Sequence, residues 1–180
     1  EEYRIAFGPR DSDAIFHGKS YDEINAVVSS QSCYASTATG NNPPVPNAGA
    51  SFTIPRSTPF ALTGSATDPD AGDAAGLTYV WEEFDLPGLN DFGPDNDADG
   101  VLRPIFRVYP PTTNPTRTFP RLQFILNNSN VPPATPVSEA LPTQTRTMNF
   151  RFNVRDNKPN GGGADFANTS VNVTATAGPF

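Results

Sequence analysis

The densest run of hard oxygen ligands in the sequence is Asp95-Asn96-Asp97-Ala98-Asp99-Gly100. Carboxylates at the first, third and fifth positions of a turn converge on one hard cation, and a glycine at the sixth permits the sharp bend. This is the first half of an EF-hand-type calcium loop. The second half is missing, because Phe106 stands where a bidentate glutamate would close the shell. Asp95, Asp97 and Asp99 are therefore expected to bind Ca2+ as a shorter loop completed from elsewhere. A second acidic run, Asp68-Pro69-Asp70-Ala71-Gly72-Asp73, lies directly ahead of an alternating stretch. Asp68, Asp70 and Asp73 are its candidate calcium ligands, and Asp85, Asp91 and Asp156, each beside a turn, could complete either shell. The competing reading of both runs is a solvated acidic turn, since Asp, Asn and Gly form turns whatever they bind.

Catalytic constellations fail on inspection. Glu82 and Glu83 are neighbours on a predicted strand, so their side chains point to opposite faces and cannot flank one glycosidic bond. One histidine, His17, and one cysteine, Cys33, supply neither a nucleophile–base pair nor a zinc site. The expectation is a chain with no catalytic site of its own. Cys33 reads equally as a buried small apolar residue or as a thiol whose partner lies elsewhere.

The elements that must position the acidic turns are short. Twenty prolines and fourteen glycines punctuate 180 residues, and proline both removes a donor and fixes φ, which excludes many long helices. Apolar residues alternate over Phe60–Gly64, Leu77–Glu82, Met148–Arg155 and Val171–Ala175, the mark of strands with one buried and one wet face. Further strands are expected near Phe52–Ile54 and Ile105–Tyr109, while Leu122–Leu126 fits a strand or a helical turn. Trp81 shares a face with Leu77 and Tyr79 and is expected in the core rather than as a sugar-stacking ring. Exposed aromatics for a carbohydrate site would be Tyr34, Phe92 and Tyr109. At the other end, Ser20 and Glu23 form a capping box ahead of Ile24, Val27 and Val28, which predicts a helix over 21–30 with one apolar face.

The chain thus divides into an N-terminal extension over 1–35, a linker over 36–46 containing Gly40-Asn41-Asn42-Pro43-Pro44, and a β module over 47–180. The fold class is all-β, an antiparallel immunoglobulin-like or PKD-like sandwich with a short N-terminal helical extension. A formal net charge of −7 argues against nucleic acid and anionic membrane surfaces, and no apolar run approaches the roughly 18 residues of a membrane span. Three Asn-x-Ser/Thr sequons, at Asn127, Asn168 and Asn172, carry no conclusion in a chain so rich in Asn and Thr.

Several segments together resemble one family. Phe16-His17-Gly18-Lys19-Ser20-Tyr21-Asp22-Glu23-Ile24 resembles the end of the catalytic domain in bacterial reprolysin-like zinc metalloproteases. Thr58-Pro59-Phe60-Ala61-Leu62-Thr63-Gly64-Ser65-Ala66-Thr67-Asp68, Tyr79-x-Trp81-Glu82-x-Phe84-Asp85, Thr145–Arg151 and Thr176–Phe180 resemble the PKD-like or cadherin-like sandwich that follows it. In such modules an Asp-Pro-Asp-Gly-Asp turn often binds calcium; here Ala71 is inserted before the glycine. The family's motif His-Glu-x-x-His-x-x-Gly-x-x-His is absent, and the 95–100 loop is foreign to its pattern. The resemblance implies a non-catalytic, calcium-binding accessory module of a secreted bacterial protein. Its partner would be an upstream catalytic domain, and its export signal would lie ahead of Glu1. Cys33 would then have its partner in that domain. The alternative is a structural or adhesive subunit of a filament, surface layer or matrix, in contact with copies of itself.

Overall fold

The computed structural model describes residues 16–35, 37–85, 102–127 and 139–178. Among the described residues the fold is β-rich, with three sheets and few helices. The clearest alternation in the sequence becomes its central strand: β7 (Arg146–Arg155) lies between β5 (Thr78–Glu83) and β8 (Ala164–Thr174), antiparallel to both. β2 (Phe52–Pro55) completes this four-stranded sheet by pairing with β8 in parallel. That pair departs from the all-antiparallel expectation. Parallel neighbours need a long connection, and nearly the whole module separates these two strands. Two smaller antiparallel sheets join β1 (Val45–Asn47) to β4 (Ser65–Thr67) and β3 (Phe60–Thr63) to β6 (Thr116–Phe119).

The core sits between the four-stranded sheet and the β3–β6 pair. Met148, Phe150, Phe152 and Val154 point there from β7 and are completely buried. Phe60 stacks on Phe119 at 5.1 Å, and both meet Phe150, at 5.8 and 4.9 Å. Trp81 is buried against Phe152 at 4.6 Å, and its indole N–H donates to the Pro115 carbonyl at 2.9 Å, so its polar handle is satisfied. Gly64 is required here, because a Cβ at that position would lie 2.4 Å from the Phe152 ring.

Residues 105–109 form no strand. Ile105 and Phe106 are buried, but their backbone amides donate to Glu83 Oε2 at 2.6 and 2.9 Å. A side chain thus satisfies donors that would otherwise need a ladder. Leu122–Leu126 resolves as a short helix, α2. The 110–117 segment covers the free edge of β5: Tyr79 and Thr112 exchange both backbone hydrogen bonds, at 2.8 and 3.1 Å, and Arg117 donates to the Trp81 carbonyl at 2.8 Å.

Helix α1 spans Gly18–Ser30, with His17 rather than Ser20 at the N-cap and no side-chain cap. Glu23 instead faces Lys19 one turn back, at 3.5 Å. The apolar positions Ile24, Val27 and Val28 stay exposed, by 48%, 61% and 49%. It is the polar side that docks, because the sheet beneath presents polar groups. Gly18 N–H donates to Glu82 at 2.7 Å, Tyr21 O–H to the Ala164 carbonyl at 3.0 Å, and Arg151 to both oxygens of Asp22 at 2.9 Å. Among the described residues, no helix is long and apolar enough to cross a membrane.

Candidate metal site

β4 ends at Thr67, and the next six residues fold tightly on themselves. Asp68 Oδ1 accepts the Asp70 amide at 2.8 Å, and the Asp73 amide reaches the Asp70 carbonyl at 3.3 Å. Gly72 takes a left-handed φ of 93°, which glycine allows without steric cost, and Asp73 then opens a 3-10 turn through Gly76. The result gathers Asp68, Asp70 and Asp73, all half-buried, so that one oxygen of each lies within 4.8 Å of the others. This cluster could hold a metal ion. Its donors are all oxygen, which suits a hard cation such as calcium or magnesium better than a transition metal.

Two further segments close on the same turn. After β7, the buried Asp156 accepts the Lys158 and Gly163 amides at 3.0 and 2.9 Å and the Asn41 side-chain amide at 2.6 Å. Asn42 donates to Asp70 from its backbone at 2.7 Å and from its side chain at 3.0 Å. Lys158 Nζ stands 2.9 Å from Asp73 and 3.8 Å from Asp70. The Asn42 amides, backbone first, hold Asp70 below the usual carboxylate range against a small cost of burial. Burial alone would raise Asp156, but the Asn41 side chain, the Lys158 and Gly163 amides and the Lys158 charge together outweigh it and lower the group. Lys158 is raised, chiefly by Asp73. Two buried oxygens of these segments, Asp68 Oδ2 and Asn41 Oδ1, have no hydrogen-bond partner among the described residues. A buried oxygen without a partner is costly, and a cation at the acidic turn would satisfy Asp68 Oδ2.

The structure therefore brings together Asp68, Asp70 and Asp73; Asp156, from the completing candidates, lies nearby but commits its carboxylate to Asn41, Lys158 and Gly163 and is not part of that cluster. Asp85 is elsewhere: it accepts the Asn149 side-chain amide at 2.6 Å and faces the buried Arg146 at 3.4 Å. Asp91, Asp95, Asp97 and Asp99 lie outside the described residues. Asn41, Asn42 and Lys158 were not among the sequence candidates. The Asn-Asn-Pro-Pro run marks a linker by composition, and nothing in its spacing announces that its amides fold back over the acidic turn.

Several other charged groups among the described residues are buried and paired. Glu83 is completely enclosed, opposite Arg146 at 3.4 Å, and burial pushes its carboxyl well above the ordinary range despite that partner. On the opposite face burial also raises Glu82, with the Gly18 amide pulling the other way. Glu139 is buried, pairs with Arg117 at 2.6 Å and accepts the Arg121 amide. Burial and the Glu139 charge push Tyr109 up to about 12. The faces of Tyr109 are not free for a sugar, since the Arg121 and Arg117 guanidinium groups lie 3.9 and 4.8 Å from the ring centroid. Tyr34 is exposed on the stretch after α1, and Phe92 lies outside the described residues. Cys33 is exposed with a free thiol.

Comparison with known proteins gives no further purchase: no family model, no curated protein and no solved structure matches the chain.

Proposed function

We propose that this chain is a non-catalytic β-sandwich module of an exported bacterial protein, in which Ca2+ at Asp68, Asp70 and Asp73 fixes the entering linker against the module. The observation that carries the reading is the strapping of Asn41 and Asn42 onto Asp156 and Asp70, with Asp68 Oδ2 and Asn41 Oδ1 left unsatisfied beside them. A cation there would stiffen the acidic turn to which Asn42 of the linker is tied. That is what a module needs if it is to hold a preceding domain at a set angle. The resemblance to the region after the catalytic domain of reprolysin-like metalloproteases favours a protease-like domain as that neighbour. The sandwich reading draws support from the rings packed between two sheets, where Phe60 and Phe119 meet Phe150 at 5.8 and 4.9 Å between ring centroids, as inward side chains do when sheets pack face to face.

Lys158 makes the proposal sharp, because its ammonium already stands among the carboxylates. Bound calcium must displace it. Thermal melts of the wild type should rise with Ca2+ and fall back with chelator; a ligand at a hundred times its Kd adds about 2.7 kcal/mol. Lys158→Gln should bind Ca2+ more tightly, and Asp68→Asn should lose the response. A melt indifferent to Ca2+ in both the wild type and Lys158→Gln would leave Lys158 as the permanent counterion and overturn the calcium reading.

The exposed Phe16, Ile24 and Val27 on and beside α1 favour a second reading, in which the chain is a structural or adhesive subunit in contact with copies of itself. Sedimentation at high concentration separates the two, since self-association supports the second and a persistent monomer removes it.

A further inference from the structure

The turn after β7 carries a bond whose chemistry the metal site does not use. Asn160 is followed by Gly161, Gly162 and Gly163, and it is the sole asparagine in the sequence with glycine after it. Glycine has no side chain to shield its own backbone nitrogen, so in an Asn-Gly pair that nitrogen can approach the asparagine side-chain carbonyl carbon most freely. Asn160 is exposed at the tip of the turn, in a left-handed conformation with φ of 65°. No described residue hydrogen-bonds its side chain, whereas Asn41, Asn42, Asn149 and Asn157 each donate from theirs.

The glycines that make the bond labile cannot be exchanged cheaply, because the linker lies on them. A Cβ at Gly161 would fall 2.5 Å from Thr39 Cγ2, and one at Gly163 would fall 2.8 Å from the Pro43 Cα. One at Gly162 would meet Asp156 Oδ1 at 3.0 Å. The same bare backbone that seats residues 39–43 therefore leaves Asn160 open to attack.

We propose that Asn160–Gly161 is a self-modification site that slowly loosens the seat of the linker. The deprotonated Gly161 nitrogen attacks Asn160 Cγ, a new N–Cγ bond closes a five-membered succinimide, and the Cγ–Nδ2 bond breaks. The amide nitrogen leaves as ammonia, taking its proton from water. A water molecule then opens either ring carbonyl, giving aspartate or, with the main chain rerouted through the side chain, isoaspartate. No oxidant, reductant or enzyme enters. Either product adds a negative charge to a turn already bounded by Asp156. The isoaspartyl product also lengthens the backbone next to Gly161, where Thr39 leaves no room.

The test is to hold the intact chain at mildly alkaline pH and follow it by intact mass and peptide mapping, with a second sample at mildly acidic pH. The expected result is a base-accelerated gain of one amide-to-acid mass change located at residue 160, ahead of every other asparagine, and absent in Asn160→Gln. Isolated converted protein should be cut faster by a protease within 36–46 than unconverted protein of the same age. Asn160→Asp, made directly, separates the effect of charge from that of backbone lengthening: cleavage unchanged in this variant but faster in the aged protein assigns the loosening to isoaspartate. Two results would overturn the proposal: an Asn160 that stays intact while the same turn as a free peptide converts, or conversion that leaves linker cleavage unchanged.

Discussion

The two faces of the four-stranded sheet are built on different principles. Toward β3 and β6 the sheet shows Phe150, Phe152, Met148 and Val154, a layer of rings and aliphatic groups from which water is excluded. Toward α1 it shows Glu82 and Arg151, both buried as well, under a helix held by its polar side. Arg151 illustrates how a charge survives there. Its guanidinium lies 3.7 Å from the centroids of both Phe84 and Phe166, takes both oxygens of Asp22 and donates to Asn168 at 3.3 Å. The first face is non-directional and is stabilised by area; the second is directional and stabilised by a few contacts that must all be present.

The largest expected effect that separates the faces is Phe150→Ala. Removing a completely buried ring at the meeting point of both sheets should cost about 3–5 kcal/mol, read by urea unfolding as a loss of the midpoint for the whole domain. Arg151→Ala should cost less, about 1.5–3 kcal/mol for hydrogen bonds to a charged group, and in a different place. Hydrogen exchange should rise first in Gly18–Ser30 while the amides of β7 and β8 keep their protection. Equal deprotection of helix and sheet would mean that the two faces are one cooperative unit.

The smallest effect is a slope. Glu82 is raised by burial, so the stability tied to its protonated form is present below its unfolded value, near 4.5, and is lost as pH rises through its folded value. Asp70 and Asp156 are lowered, so their contribution is present above their unfolded value, near 3.8, and is lost as pH falls. Glu82→Gln should therefore gain on the wild type as pH increases above about 4.5, whereas Asp156→Asn should flatten the acid limb. Parallel melting curves for wild type and Glu82→Gln across that range would show that the α1 face carries no titrating penalty.

This contrast also explains what could be read from the residues alone. The ring-lined face was legible because alternation fixes which side chains share a face: Phe60 and Leu62, Met148 to Val154, and Trp81 all lie where period two puts them. The α1 face was not. Arg151 sits at a position that alternation assigns to water, and Ile24, Val27 and Val28 at positions that helical spacing assigns to the core. In both cases partners distant in sequence, Asp22 for Arg151 and Glu82 for Gly18, override the local pattern. The same is true of residues 105–109, where one carboxylate from Glu83 replaces a ladder. At the acidic cluster the convergence of Asp68, Asp70 and Asp73 was legible by type and spacing, because three aspartates in six residues can converge without help from elsewhere. Asn41, Asn42 and Lys158 reach them only through the tertiary fold, which leaves no trace in spacing.

The covering of β5 by its own loop bears on how the chain behaves in company. An unpaired strand edge is a template on which another molecule can grow, the first step toward fibrils. Here the edge next to the most hydrophobic strand is occupied at Tyr79 by Thr112 and at Trp81 by Arg117, and on the opposite margin β2 carries Pro55, which has no amide to offer. Copies brought close together would then meet at these two margins through side chains rather than by extending the four-stranded sheet. Any such contact at those margins would leave the ladder of each copy intact.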